Sequence, residues 1–166
     1  LIESIPFFLE YDFISFIVGT DWNPTSPTSP SYGFVPLLYG TAIVTGVALL
    51  IAVPIGLISA MYISQIASEK EKEILKPLIE ILAGIPSVVY GFFAFAVLSG
   101  VIQTIFGNYL RLNAFVAAVI LGIMAIPTIV SISEDALTAV PKGFKEASLA
   151  LGASNLETLI HVTVPS

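Results

Sequence analysis

Polar and apolar positions along this chain fall into long blocks. Three stretches, residues 38–63, 78–102 and 113–133, are apolar over about 20 residues or more, the length that crosses a bilayer as a helix. The first lies within a run from 22 to 68 that has no formal charge, the second is uncharged after Glu80, and the third carries none. One charge at the centre of a span costs about 2.5–3.5 kcal/mol on insertion scales, so blocks this clean predict membrane helices. The polar segments between them are too short to cover three buried helices of a soluble protein. The expected fold class is an all-α membrane protein, a polytopic helical bundle.

Outside the spans the pattern changes. Residues 1–36 read as an extracytoplasmic or interfacial segment. Its first part mixes Phe7, Phe8, Leu9, Phe13, Ile14 and Phe16 with Glu3, Glu10 and Asp12, as an interfacial or packed helix does. Residues 23–30 carry three prolines and are expected to turn. Tyr32, Phe34 and Tyr39 stand where an aromatic belt marks the outer interface. Basic residues orient the whole: Lys70, Lys72, Lys76, Lys142 and Lys145 fall on one side and only Arg111 on the other. That places residues 68–76 and the C-terminal segment in the cytoplasm. The chain starts at Leu1 without a methionine and stops one residue past Pro165, so both ends read as cut.

Composition agrees with this class and narrows the chemistry. Hydrophobic residues make up 56% and charged residues 11% of the 166 positions, against about a quarter charged in soluble domains. There is no cysteine, and His161 is the single histidine. Disulfides, zinc sites and thiol catalysis are thereby excluded, and no metal or cofactor is expected. A net charge of −6 argues against nucleic acid. No nucleophile–base arrangement or phosphate-cradling glycine loop is present, so the chain itself is not expected to be an enzyme.

Each expected span holds a proline, Pro54, Pro86 or Pro127, all about 10–15 Å from the cytoplasmic end at 1.5 Å per residue. Gly84-Ile85-Pro86-Ser87-Val88-Val89 and Ala125-Ile126-Pro127-Thr128-Ile129-Val130 repeat a local pattern in which Ser87 or Thr128 is placed to satisfy backbone groups freed by the proline. A layer of kinks lining a pathway is one reading; ordinary proline use in membrane helices is the other. Gly46, Gly56, Gly84, Gly91, Ala117, Ala118 and Gly122 read as helix-contact positions. Glu80, and Glu134 with Asp135 at the end of the third span, are possible gate residues, with solvated interfacial carboxylates as the plainer account. Arg111 reads as a surface arginine.

Residues 134–166 are amphipathic and too polar to span. After Pro141 a helix is expected from Lys142, with Phe144, Ala147, Ala150 and Leu151 as its apolar stripe and Gly152 as its stop. Ser154-Asn155-Leu156-Glu157 is a capping box that opens a second short helix, closed by Pro165. On periodicity alone, a plain interfacial helix pair fits this segment as well.

The spacing Glu146-Ala147-Ser148, then Gly152, then Val162, Val164 and Pro165, resembles the EAA loop of binding-protein-dependent (ABC) importer permeases, with mild departures at Ser148 and the two valines. Trp22-Asn23-Pro24, Pro36-Leu37-Leu38-Tyr39-Gly40-Thr41, Ala52-Val53-Pro54-Ile55-Gly56, Ile85-Pro86-Ser87-Val88-Val89-Tyr90-Gly91 and the EAA stretch together are similar to phosphate permeases of the PstC type. The resemblance implies a type I importer permease of about six membrane helices, seen here as a fragment. It implies a sibling permease of the PstA type, a dimer of ATP-binding subunits that hydrolyse the ATP, an extracytoplasmic phosphate-binding protein and a multi-pass location in the cell membrane. It also implies that Glu146, Ala147, Ser148, Gly152, Ser154 and Glu157 form the element that couples to the ATPase. Import of another oxyanion or an amino acid is the alternative within the class, and a channel or structural subunit without an ATPase the alternative outside it.

Overall fold

The computed structural model describes residues 12–107 and 113–166. Arg111 and the aromatic and acidic residues expected to form an interfacial helix before residue 12 lie outside the described residues. The chain divides into two compact units, one up to Gly46 and one from Val47, taken in turn below.

In the first unit a one-and-a-half-turn helix, α1 (Phe13–Val18), starts where the Asp12 carboxylate accepts the Ser15 N–H at 3.0 Å. The proline-rich stretch turns as expected, and it does so as the loop of a two-stranded hairpin. β1 (Trp22–Asn23) pairs antiparallel with β2 (Ser31–Tyr32), and the Trp22 and Tyr32 rings meet edge to face at 6.3 Å. Sequence pattern missed the device that closes this unit. Gly19 and Gly33 pass so closely that a Cβ on Gly33 would lie 2.3 Å from the Gly19 carbonyl oxygen. No side chain fits there, which leaves glycine at both positions.

Among the described residues, three helices are long and apolar enough to cross a membrane: α2 (Val35–Ile66), α4 (Ser87–Phe106) and α5 (Ala114–Ala139). Between the first two lies α3 (Glu69–Ala83), opened by a capping box in which Ser68 and Glu71 satisfy each other's backbone N–H groups. α2 ends in a π-helical turn over Tyr62–Ile66, and α4 contains another over Ala94–Leu98.

Two expectations change here. Residues 78–102 do not form one helix, because α3 stops at Gly84 and α4 begins after Pro86. Proline lacks the N–H that a continuous helix needs and pushes the residue before it out of helical geometry. The break is held from outside by the Tyr90 hydroxyl, which donates to the Leu82 carbonyl at 2.9 Å. Pro86 is therefore a helix start, and among the described residues the helix-interior prolines are Pro54, Pro77 and Pro127. Second, Glu134 and Asp135 do not end the third span, since α5 runs on to Ala139.

The helices pack through small residues. Ala48, Ala52, Gly56 and Ala60 form a buried stripe at four-residue spacing on α2, the pattern that lets membrane helices approach closely. A Cβ on Gly56 would lie 2.6 Å from Cγ2 of Ile129, and one on Gly122 would lie 3.1 Å from the Ala48 carbonyl. Gly46 and Gly91, expected at contacts, face open space. One cluster joins Ala60, Ile63, Val130 and Leu137, with Leu75 and Ile79 of α3 against it; a second joins Ala94 and Ile102 of α4 to Val116 of α5. Elsewhere the spans are apolar outward, with Leu50, Val88 and Phe92 more than two-thirds exposed. That is the surface of a helix that meets lipid or further helices. Within the apolar spans, Thr41, Ser59, Ser99 and Thr104 donate their hydroxyls to carbonyls three or four residues earlier. Ser87 and Thr128, expected to do this, have no such bond among the described residues.

The close approach at Gly56 makes a direct prediction. Ile129 is β-branched and stiff, so Gly56→Val separates α2 from α5 and lowers stability by about 1–3 kcal/mol. Gly91→Ala, with nothing in its way, is neutral or stabilising by up to about 1 kcal/mol. Thermal unfolding of the two variants in detergent checks the pair.

Candidate functional site

The segment after α5 folds as the sequence spacing predicts, into a helical hairpin. α6 (Lys142–Ala150) begins after Pro141, and α7 (Asn155–Thr158) continues into a π turn over Leu159–Thr163. Between them Gly152 takes φ +90°, the left-handed region where a Cβ is strained. Its N–H donates to Leu149 O at 3.0 Å, and the Ala153 N–H donates to Ser148 O at 3.2 Å. These are the two bonds of a Schellman stop.

α7 is capped reciprocally: the Ser154 hydroxyl accepts the Glu157 N–H, and the Glu157 carboxylate accepts the Ser154 N–H at 2.8 Å. Bonds from the Ser154 N–H and hydroxyl, aided by the field of His161, hold the Glu157 carboxyl below its ordinary 4.5. A depressed folded value means the cap's contribution is present above the unfolded pKa and is lost as pH falls through the folded one. A carbon-13 titration of Glu157 is expected to show a midpoint below 4.5, moving part of the way back toward the ordinary value in Ser154→Ala, which removes the hydroxyl bond and keeps the larger backbone one.

The two helices are tied across the hairpin. Ser148, the departure from the resembled motif, places its hydroxyl 2.9 Å from that of Thr158. Thr158, Leu159 and Thr163 are buried, so the inside of the hairpin is partly polar and fully bonded. The expected apolar stripe faces out instead: Phe144 is 57% and Leu151 90% exposed, beside Leu156 and Ile160 of the second helix. Glu146 is exposed on α6, and His161, with Nδ1 3.2 Å from the Glu157 carbonyl, is exposed on the π turn. Lys145 reaches the other way, its Nζ donating to Gln65 Oε1 at 3.2 Å and to Leu137 O at 3.4 Å.

A second constellation lies where α3 packs on the later part of α5. Lys76 Nζ is 3.1 Å from Glu134 Oε1, and the Thr138 hydroxyl donates to the same oxygen at 3.2 Å. With Glu80, Ser131 and Asp135, Lys76 and Glu134 line a cleft of about 190 Å³. The three carboxylates singled out from sequence thus come together, with a correction to their states. Glu134 and Asp135 are not a solvated pair: Glu134 is buried and ion-paired, while Asp135 is exposed. The lysine is held by Glu134, not Glu80. Of the proline-centred positions, Pro127 is buried, and Pro54, Pro86, Ser87 and Thr128 are exposed.

Sequence reasoning passed over Lys76, Thr158 and Lys145. No local signal marks them, since their partners lie eight to eighty residues away. The Ser68–Glu71 box was detectable, because Ser68-Glu69-Lys70-Glu71 carries the same signature as Ser154 to Glu157.

Residues 52–166 match the binding-protein-dependent transport system inner membrane component family, and the chain belongs to it. It is a helical multi-pass membrane protein of the ABC permease class, whose members are not themselves enzymes. Among curated proteins it is 40% identical over 153 residues to the probable ABC transporter permease protein YqgH of Bacillus subtilis, covering 92% of this chain and 49% of that one. It is 31% identical to the phosphate transport system permease protein PstC of Mesorhizobium japonicum, covering 91% and 51%. It is also 31% identical to the phosphate transport system permease protein PstA 1 of Mycobacterium tuberculosis (strain H37Rv), covering 80% and 41%. The chain therefore spans about half the length of the curated relatives it matches. No solved structure matches it.

Proposed function

We propose that this chain supplies part of the translocation path of an ATP-driven importer of inorganic phosphate, and contacts the ATP-binding subunits through the α6–α7 hairpin. The observation that carries the reading is the hairpin's construction. It is stopped by Gly152 and capped by Ser154 and Glu157, and the Ser148–Thr158 bond ties its two helices. It still presents Phe144, Leu151, Leu156 and Ile160 outward. A short, rigid, doubly capped element with an uncovered apolar face is suited to seat in a partner's groove and move as one body. Glu146, Ala147, Ser148, Gly152, Ser154 and Glu157 are its coupling residues.

The described basic residues, Lys70, Lys72, Lys76, Lys142 and Lys145, all lie on α3 and α6, which supports a cytoplasmic position for these elements. The Lys76–Glu134 cleft then lies toward the inner end of the path, with Glu80, Glu134 and Asp135 as an inner gate. Pro54, Pro127 and Thr128, with the Pro86–Ser87 helix break, give the spans their bends along the path. Phosphate is the substrate favoured by relatives named phosphate permeases. The partners are a sibling permease of the PstA type, two ATP-binding subunits and an extracytoplasmic phosphate-binding protein, in the cytoplasmic membrane.

A second reading, import of another oxyanion or an amino acid, has one support: YqgH, the relative at 40% identity, carries no substrate in its name. The test is ATP-driven uptake of labelled phosphate by the full-length complex in vesicles. Accumulation of phosphate is the expected result. Robust uptake of another solute but never of phosphate overturns the substrate and leaves the permease class standing.

A further inference from the structure

We propose that Lys145 is the positioning strut that ties the α6–α7 hairpin to the ends of two membrane helices at once. The proposal rests on the reading of the hairpin as the ATPase contact. Among the described residues, the hydrogen bonds that leave the hairpin are the two made by the Lys145 ammonium, to Gln65 and to Leu137 O. Its other bonds are internal, apart from that of the Phe144 N–H to the Pro141 carbonyl where α6 starts.

The two acceptors sit at helix ends. Gln65 belongs to the π turn that finishes α2, and Leu137 O is among the last carbonyls of α5. The last four carbonyls of a helix have no partner within it and carry its partial negative charge. A cation placed where two such ends converge is favoured by both, and the ammonium has three donors, two of which are used here. Position along α6 sharpens the point: Lys145 is half-buried, whereas Lys142, one turn earlier on the same helix, is exposed. A push on the hairpin therefore reaches α2 and α5 through one side chain. α2 and α5 are also the helices locked together at Gly56 and Gly122, so they respond as a pair.

The test uses the full-length complex in vesicles, with ATP hydrolysis and labelled phosphate uptake measured together. Lys145→Met keeps the stem and removes the charge. It is expected to assemble and to hydrolyse ATP within about twofold of wild type, while uptake per ATP falls about tenfold, a size typical of residues that couple distant sites. Lys145→Arg restores most of the uptake, because charge and donors return. Unchanged uptake per ATP in Lys145→Met overturns the proposal. So does a proportional fall of assembly, hydrolysis and uptake, or an arginine that fails to rescue.

A wild-type complex that hydrolyses ATP without accumulating phosphate defeats the substrate reading alone. The strut is then read from the distance between nitroxides at Ile66→Cys and Gly143→Cys. A distribution broadened by Lys145→Met supports it, and an unchanged one overturns it.

Discussion

Gly152→Pro is expected to abolish ATP-driven uptake while leaving the three apolar helices folded. Two effects combine at this position. The φ of +90° is out of reach for a proline ring locked near −65°. The Gly152 N–H that donates to Leu149 O is lost as well. Leu151, at φ −79° and ψ 1°, would in addition be pressed against the ring that follows it. The local cost is about 3 kcal/mol or more, enough to unmake the stop between α6 and α7 and to free the Ser148–Thr158 tie. Gly152→Ala, which meets only the left-handed penalty of about 1–2 kcal/mol and has open space around its Cβ, should keep part of the activity. Uptake and ATP hydrolysis assayed side by side separate the two. Full uptake in the proline variant would mean that the hairpin's bend has no part in transport.

The second large effect is an asymmetry at the Lys76–Glu134 pair. The glutamate side chain is 12% exposed and the lysine 48%. Removing the lysine strands a nearly buried carboxylate, with only the Thr138 hydroxyl left to it. Removing the glutamate leaves an ammonium that can turn to solvent or to Glu80 and Asp135 across the cleft. Lys76→Met is therefore expected to cost about 3 kcal/mol, the scale for a buried charge that loses its partner. Glu134→Leu is expected to cost about 1 kcal/mol, near a single lost bond. The double variant should recover most of the loss, since an apolar pair of similar volume has no charge to strand. Denaturation midpoints of the two single variants and the double one measure this. Equal costs for the two single changes would place the pair in solvent.

These particulars show which parts of the molecule the sequence made legible. The apolar helices were readable because twenty uncharged residues have few other fates. The hairpin was readable because its stop and its cap are local, written in Gly152 and in Ser154 to Glu157. Interactions across the chain were not. Glu134 looked like the end of a span because a lone carboxylate belongs at an interface, yet α5 continues because Lys76 of α3 neutralises it. The break before α4 was misread as a kink because a proline inside a helix and a proline at its start leave the same composition. Gly19 and Gly33 gave no signal because their requirement comes from each other.

The π turn within α4 has a consequence for how this helix changes over evolutionary time. Ala94 and Ser99 are both buried, although five residues of ordinary α-helix would set them about 140° apart, at about 100° per residue. The wider turn over Ala94–Leu98 absorbs one residue and brings the two positions to one side. The element behaves as a one-residue insertion stored inside an otherwise regular rod. Losing a single residue between 94 and 98 would restore even winding, four α-helical steps covering about 400°, and leave the stretch from Ser99 to Phe106 on the faces it already holds. Ile102 would stay on Val116. A gap of one between Ser99 and Ile102 has no such slack: it turns Ile102 by about 100° and takes it off Val116.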